Sequence, residues 1–207
     1  MKIAVIGSGI SGLSAAYYLS KKYYVDLYEK EDHFGGHSYT VDIKTNKENI
    51  SVDIGFIVFN ELTYPNLINF FKEIKVEHEK SNMSFSVSVK DTGIEYSGSG
   101  FKGIFSNKKN LLNAKFLKMI YEIINFYKNV SNDITKVNEK ITLGEYLAKN
   151  NLSNYFVNYH IIPMVASIWS MPYGKAKNMP FKLFVEFFLN HGLFKLRNRP
   201  QWFTVKN

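Results

Sequence analysis

Five glycines and one glutamate within the first 36 residues have the types and spacing of a dinucleotide site. The apolar run Lys2-Ile-Ala-Val-Ile6 enters Gly7-Ser-Gly9-Ile-Ser-Gly12, and a helix-like stretch follows with Ala16 in its second turn. A second apolar run, Tyr24-Val-Asp-Leu-Tyr28, ends on Glu29. This is a G-x-G-x-x-G in strand–turn–helix context with an acid closing the next strand. Gly7 permits the tight turn, Gly9 lets a pyrophosphate come up to the backbone, and Gly12 lets the helix pack close to the strand. The helix N-terminus offers unpaired N–H groups and a partial positive charge to phosphates. Ser8, Ile10 and Ser11 stand to present such N–H groups, and Ser11 adds a hydroxyl. Glu29 is placed to accept hydrogen bonds from ribose hydroxyls, with Lys30 beside the adenine or ribose. A glycine turn in some other βαβ unit would leave Glu29 unexplained.

The elements that must hold these residues follow from hydrophobic spacing. After the Gly35-Gly36 loop come two strand-like pieces, Tyr39–Lys44 and Ile50–Phe59, joined by the polar turn Thr45-Asn-Lys-Glu-Asn49. Leu67, Phe70, Phe71 and Ile74 have helical spacing. Met83–Lys90 alternates with period two, and Asp91-Thr-Gly93 turns it back into Ile94–Ser97 as a hairpin. From Asn110 to Val130 the apolar residues Phe116, Leu117, Ile120, Tyr121, Ile124 and Tyr127 share a helical face. Thr142-Leu-Gly-Glu145 is a capping box, and Ser153 caps a helix that meets Pro163. Pro180 and Gly192 bracket a helix over Phe181–His191. The predicted fold class is α/β, a Rossmann-like unit with an inserted, mainly helical portion containing a β-hairpin. The expected division is 1–60, 61–198 and 199–207. A doubly wound nucleotide domain needs about five or six strands, and this pattern supplies β–α–β with at most one further parallel strand. The expectation is a sheet completed by residues outside this sequence, or an unusually small domain.

Composition narrows the chemistry. No cysteine is present among the 207 residues, which excludes disulfides, thiolate metal sites and cysteine nucleophiles. The five histidines show no metal-ligand spacing, and no G-x-S-x-G nucleophile context occurs. The N-terminus enters a strand directly, so no signal peptide is expected. The longest mostly apolar stretch, Ile161 to Met171, is too short to span a bilayer and contains Pro163. A cytoplasmic protein is expected. The formal charge of +8 invites a nucleic-acid reading. However, the lysines are scattered among asparagines, Arg197 and Arg199 are the only arginines, and no basic cluster alternates with stacking aromatics. A lysine-covered surface accounts for the charge, with anionic lipid head groups as the next partner in line.

The glycine doublet makes the fingerprint more specific. His33-Phe-Gly35-Gly36-His37-Ser38-Tyr-Thr40 resembles the R-x-G-G-R-x-x-[ST] element of the flavin-dependent amine oxidase, phytoene desaturase and protoporphyrinogen oxidase superfamily. Both arginine positions are histidines here. Val52-Asp-Ile-Gly55-Phe56-Ile57-Val-Phe-Asn60, Thr63-Tyr-Pro65-Asn66, Met83-Ser-Phe-Ser-Val-Ser, Pro163-Met-Val-Ala-Ser-Ile-Trp169-Ser and Arg199-Pro-Gln-Trp202 are similar to a bacterial subgroup of predicted NAD/FAD-binding proteins of the amine-oxidase type. The resemblance covers almost the whole chain and implies FAD as cofactor, with Gly35, Gly36, His37 and Ser38 at its phosphates and ribityl chain. It also implies a Gly55-Phe56-Ile57 strand beside the flavin. Members are about twice as long, so it implies that this sequence is an N-terminal half, with a C-terminal half as missing partner. It points to hydride removal from, or desaturation of, an apolar and fatty-acyl-like substrate.

No catalytic acid or base is named by the sequence. His160 reads as structural, and His78 and His191 as surface residues. The aromatics of the second half read first as core, with Met164, Trp169 and Met171 the candidates for a greasy substrate cavity. Three rival functions stand beside the flavoenzyme: an NAD(P)-dependent oxidoreductase without flavin, a nucleotide-binding fragment or split subunit without activity of its own, and a basic membrane- or RNA-binding module.

Overall fold

The apolar periodicities resolve into nine strands and nine α-helical segments in the computed structural model, which describes residues 1–206. Chain order begins β1 (Lys2–Ile6), α1 (Ile10–Ser20), β2 (Tyr24–Tyr28), β3 (Thr40–Lys44), β4 (Asn49–Asp53), β5 (Phe59–Asn60), α2 (Pro65–Ile74) and β6 (His78–Ser81). Next are β7 (Ser86–Val89), β8 (Ile94–Ser97), α3 (Gly100–Ile104), a 3-10 turn over Lys108–Leu112, α4 (Ala114–Asp133) and α5 (Leu143–Lys149). The last part holds α6 (Asn154–Phe156), a π-helical turn over Val157–Ile161, α7 (Ile162–Trp169), α8 (Tyr173–Ala176), α9 (Phe181–Asn190) and β9 (Trp202–Val205). None of the described helices is long and apolar enough to cross a membrane.

The chain divides into two compact units, 1–82 with 201–207, and 83–200. The first boundary falls after Asn82, so α2 and β6 belong with the glycine-rich unit, whereas the sequence pattern divided the chain at 60.

In the first unit β1 and β2 pair in parallel, Lys2 opposite Tyr24 through Ile6 opposite Tyr28, with α1 as the crossover. Among the described residues no third parallel strand joins them. Pro65 opens α2 at a position where its missing N–H costs nothing, and Lys75 ends it in the left-handed conformation. Glu73 of α2 ties it to α1: it accepts from the hydroxyls of Tyr18 at 2.9 Å and Tyr17 at 3.3 Å, and pairs with Lys21. The strand expected over Ile50–Phe59 is two strands, β4 and β5, with irregular backbone between them. β4 pairs antiparallel with β3, while β5 pairs with β9. β9 is the centre of a three-stranded antiparallel sheet ordered β5-β9-β6, so residues 202–205 close this unit.

The second unit is mainly helical around an aromatic core, with the β7–β8 hairpin set against it. Phe116, Met119, Ile123, Phe126 and Val130 form the buried stripe of α4, whose N-cap Asn113 accepts from the N–H groups of Lys115 and Phe116. The Thr142–Glu145 capping box opens α5. Met164 is buried in the core, and Trp169 packs on Phe187 at 4.6 Å and Phe188 at 6.1 Å. These second-half residues therefore act as core packing. His191, expected at the surface, is buried: its ring stacks on Phe187 at 4.0 Å and its Nδ1–H donates to the Phe187 carbonyl.

His160 is structural, and Pro163 explains how. A regular helix would pair the Tyr159 carbonyl with the N–H four residues on, which is Pro163 and has none. The backbone answers with the π-helical turn, closed by Ile162 N–H to the Val157 carbonyl. The Tyr96 hydroxyl donates to the freed Tyr159 carbonyl at 2.7 Å. Its single proton thus spent, Tyr96 accepts from His160 Nδ1–H at 2.9 Å, and His160 Nε2 in turn accepts from the Tyr127 hydroxyl at 2.9 Å. Burial, aided by the Arg199 guanidinium, pushes the His160 pKa down to about 3, so the ring stays neutral with one fixed tautomer.

Candidate functional site

The candidate residues of the first unit converge on the turn between β1 and α1. Gly7 has φ +93°, a conformation open to glycine and strained for other residues, and its N–H donates to the Tyr28 carbonyl at 2.7 Å. The turn is thereby locked to the end of β2. Gly12 packs so close that a Cβ would lie 1.8 Å from the Gly7 carbonyl oxygen. Gly9 differs from both. Its backbone is extended at φ −67°, ψ 175°, and a Cβ built on it meets nothing within 4 Å. It is also the N-cap of α1, where no side chain caps the helix and no acid occupies the first turn. The first N–H groups of α1 are thus left without side-chain acceptors.

The doublet docks on this turn through backbone alone. The Gly35 N–H donates to the Ser8 carbonyl at 2.9 Å, and Gly9 and Gly35 form a parallel bridge. A Cβ on Gly36 would stand 3.0 Å from Gly9 Cα, and both doublet glycines have positive φ, +105° and +59°. His37 carries the chain onward, and its carbonyl accepts from Phe56 N–H at 2.9 Å. Gly55 lies against the same carbonyl, where a Cβ would come within 1.8 Å. The residues Gly55-Phe56-Ile57 are not a strand, contrary to the expectation from the Val52–Asn60 pattern: that close approach bends the backbone between β4 and β5. Ile57 is exposed.

Glu29 ties the glycine turn to the residues that follow β2. Its Oε2 accepts from the Ser8 N–H at 2.7 Å and from the Ser8 hydroxyl, and its Oε1 accepts from the N–H groups of Lys30 at 2.7 Å and Glu31 at 3.0 Å. A carboxylate offers about four acceptor positions, and all are used. Sequence reasoning placed Glu29 by its position but missed this cross-link to Ser8, which is wholly buried; a serine between two glycines carries no mark of its partner. Lys30 contributes its N–H, while its ammonium stays in solvent 3.9 Å from Glu31. Ser38 N–H donates to the Gly35 carbonyl at 3.0 Å and closes the doublet turn. Ile10 and Ser11 occupy the first turn of α1, with exposed side chains. Among the described residues no group of histidine, aspartate and glutamate is arranged to hold a metal.

Four donors hold Glu29 ionised. The Glu31 N–H contributes most, followed by the Ser8 hydroxyl, the Ser8 N–H and the Lys30 N–H, and together they lower its pKa from 4.5 to about 2. A carboxyl whose pKa is lower in the folded state stabilises the fold above the unfolded value and loses that contribution as pH falls through the folded one. The glycine-turn cross-link is therefore expected to be intact at neutral pH and to weaken between about 4.5 and about 2. Acid titration of unfolding should be shallower over that window in Glu29→Gln than in the parent; identical curves would remove the cross-link from the account.

Residues 5–74 match the NAD(P)-binding Rossmann-like domain. The first unit is Rossmann-like. Over 141 residues the chain is 32% identical to the 1-hydroxycarotenoid 3,4-desaturase of Flavobacterium sp., a match covering 58% of this chain and 27% of that protein. A shorter stretch of 42 residues is 55% identical to the polyenoic fatty acid isomerase of Ptilota filicina, covering 19% of this chain and 8% of that one. Among solved structures, putrescine oxidase bound to putrescine superposes with TM-score 0.61 at 19% identity, over 99% of this chain and 46% of that one. The CLA-producing fatty acid isomerase from P. acnes superposes with TM-score 0.54 at 17% identity, over 93% and 43%. At such identities the superpositions establish shared fold. The chain spans less than half the length of each of these proteins.

Proposed function

We propose that this chain is the N-terminal part of an FAD-dependent oxidoreductase of the amine-oxidase type. In this reading it takes a hydride from, or desaturates, an apolar substrate of fatty-acyl or polyene character. The observation that carries the reading is the docking of Gly35-Gly36 on Gly7–Gly9, with Glu29 fixed at the same turn. The first turn would serve NAD(P) or FAD alike; the added doublet supports FAD. The residues present fit that cofactor. The open space at Gly9 and the uncapped N-terminus of α1 suit a pyrophosphate, Glu29 suits a ribose, and the backbone of 35–38 and 55–57 borders the path onward. Bound flavin supplies the redox chemistry as hydride acceptor; the chain's own residues grip and orient the nucleotide.

The substrate class rests on the desaturase and the fatty acid isomerase among the relatives. In this reading the helical unit belongs to the substrate side of the enzyme. The rest of the nucleotide sheet comes from a C-terminal half, a reading supported by the lone β1–β2 pair and by the share of the relatives that the chain spans. In this reading the protein works at the inner face of an anionic membrane, where such substrates reside. The second reading, an NAD(P) enzyme without flavin, is favoured by the match of residues 5–74 to the NAD(P)-binding Rossmann-like domain. Purified protein should show the visible and near-ultraviolet bands of a flavin; a colourless protein that binds NADH instead would replace the first reading by the second.

The filled acceptors of Glu29 yield a finer expectation. A ribose hydroxyl enters by displacing the Ser8 hydroxyl, the one side-chain donor among the four. Ser8→Ala should therefore tighten adenine-nucleotide binding severalfold in equilibrium titration. Weakened binding would mean that the serine holds the nucleotide rather than competing with it.

A further inference from the structure

The lysines are not spread evenly. From Tyr96 to Tyr121 the chain carries Lys102, Lys108, Lys109, Lys115 and Lys118 and no aspartate or glutamate, five positive charges in a chain whose net charge is +8. The same segment leaves large apolar side chains in water. Leu112 is 93% exposed, Phe101 73% and Tyr121 65%, with Leu117 one helical turn before Tyr121 on the outer face of α4. Large apolar side chains this exposed, all carried by one short segment, are candidates for a contact face.

The backbone that presents them is firmly held. The Asn107 amide donates to the Gly93 carbonyl at 3.0 Å and the Asn110 amide to the Glu95 carbonyl at 2.9 Å, fixing the 3-10 turn to the hairpin. Asn113 caps α4 immediately after Leu112. Phe101 packs on Phe105 at 4.7 Å, and Phe105 on the buried Phe116 at 6.2 Å, so α3 rests on the first turn of α4. The exposure of Leu112 and Phe101 thus belongs to an anchored surface. The two acids that bracket the segment are engaged: Glu95 accepts from Ser88, and Glu122 is buried against Ser153 with Lys118 at 3.9 Å.

We infer that α3, the 3-10 turn and the start of α4 form a membrane-docking face for an anionic phospholipid bilayer. Leu112 and Phe101 enter the head-group boundary, and Lys102, Lys108, Lys109 and Lys115 pair with lipid phosphates, while Lys118 faces Glu122. Aliphatic and aromatic tips ringed by lysines suit a bilayer, which offers apolar depth and negative charge at one surface. This rests on the reading of an apolar, membrane-resident substrate and assigns that contact to residues 100–121.

The test is flotation of the whole chain with vesicles of phosphatidylcholine alone, and of phosphatidylcholine mixed with phosphatidylglycerol, at low and high salt. Binding is expected to the mixed vesicles only, and to weaken with salt. Leu112→Asp and the pair Lys108→Glu with Lys109→Glu should each lower the bound fraction, the charge pair by about tenfold or more. The pair Lys140→Glu with Lys149→Glu, equal in charge but outside the segment, should bind nearly as the parent does. Four results overturn the assignment: no binding, equal binding to neutral vesicles, equal loss in the control pair, or lipid-free self-association that Leu112→Asp abolishes. The last would make the face a contact between copies. Flavin absorbance of the same preparations reads the cofactor separately. Flavin without vesicle binding sinks this face alone, and vesicle binding by a colourless protein sinks the cofactor reading alone.

Discussion

Gly9→Val is expected to give a folded protein that retains no dinucleotide, whereas Gly12→Ala is expected to fail at folding the first unit. The two glycines belong to one motif, yet their surroundings differ. At Gly9 the backbone is extended, a conformation that valine adopts readily, and an added Cβ meets no protein atom within 4 Å. The branched side chain instead fills the space in front of the uncapped α1 N-terminus, where a pyrophosphate would lie. At Gly12 a single methyl group would sit 1.8 Å from a backbone carbonyl oxygen, which no rotamer change relieves. Overpacking of this kind costs about 1–3 kcal/mol where the surroundings can shift. Here the oxygen belongs to Gly7, whose N–H is already bonded to Tyr28, so the turn cannot retreat without breaking from β2. Circular dichroism and thermal unfolding read the fold, and flavin absorbance reads the ligand. A Gly9→Val protein that keeps its cofactor would remove Gly9 from the site. A Gly12→Ala protein as stable as the parent would show that the close packing yields.

The parts of the candidate site that are legible in the sequence are those fixed by local geometry. A glycine turn between a strand and a helix has few alternatives, so Gly7, Gly9, Gly12 and the acid after β2 stood out by position. The hairpin at Asp91-Thr-Gly93, the Thr142 capping box and the Ser153 cap rest on residues within three or four positions of each other, and each formed as expected. Features set by distant partners were hidden. β6 reads His-Glu-Lys-Ser, with no apolar alternation, and exists because β9 pairs with it from more than 120 residues away. β9 itself, Trp-Phe-Thr-Val, has strand-forming residues, but nothing local says which unit it joins. Residues 50–59 read as continuous strand because the reason for the break at Gly55, the His37 carbonyl, lies in another segment. His191 stands beside the Gly192 cap and so reads as a surface residue, and the stacking with Phe187 that buries it does not show as spacing.

The Tyr96–His160–Tyr127 chain should lose stability in Tyr96→Phe, and much of that loss should disappear when Pro163 is also replaced by alanine. Removing the Tyr96 hydroxyl strands two groups at once: the Tyr159 carbonyl, which has no helical partner because Pro163 lacks an N–H, and the His160 Nδ1–H. A buried polar group left without a partner costs about 1–3 kcal/mol. Burial keeps the His160 ring neutral, with a pKa pushed down to about 3. Pro163→Ala restores an N–H four residues after Tyr159. The π-helical turn can then tighten to a regular one and satisfy the carbonyl from within the helix. In the alanine substitution alone, a regained hydrogen bond is set against lost packing of a buried ring. The coupling between the two substitutions is fixed. Denaturant unfolding of the parent, both single variants and the double variant should give a favourable interaction energy of about 1 kcal/mol, within the range seen for residues sharing a partner. Strict additivity would mean that the Tyr96 hydroxyl and the proline are unrelated, and the π-helical turn would then need a different cause.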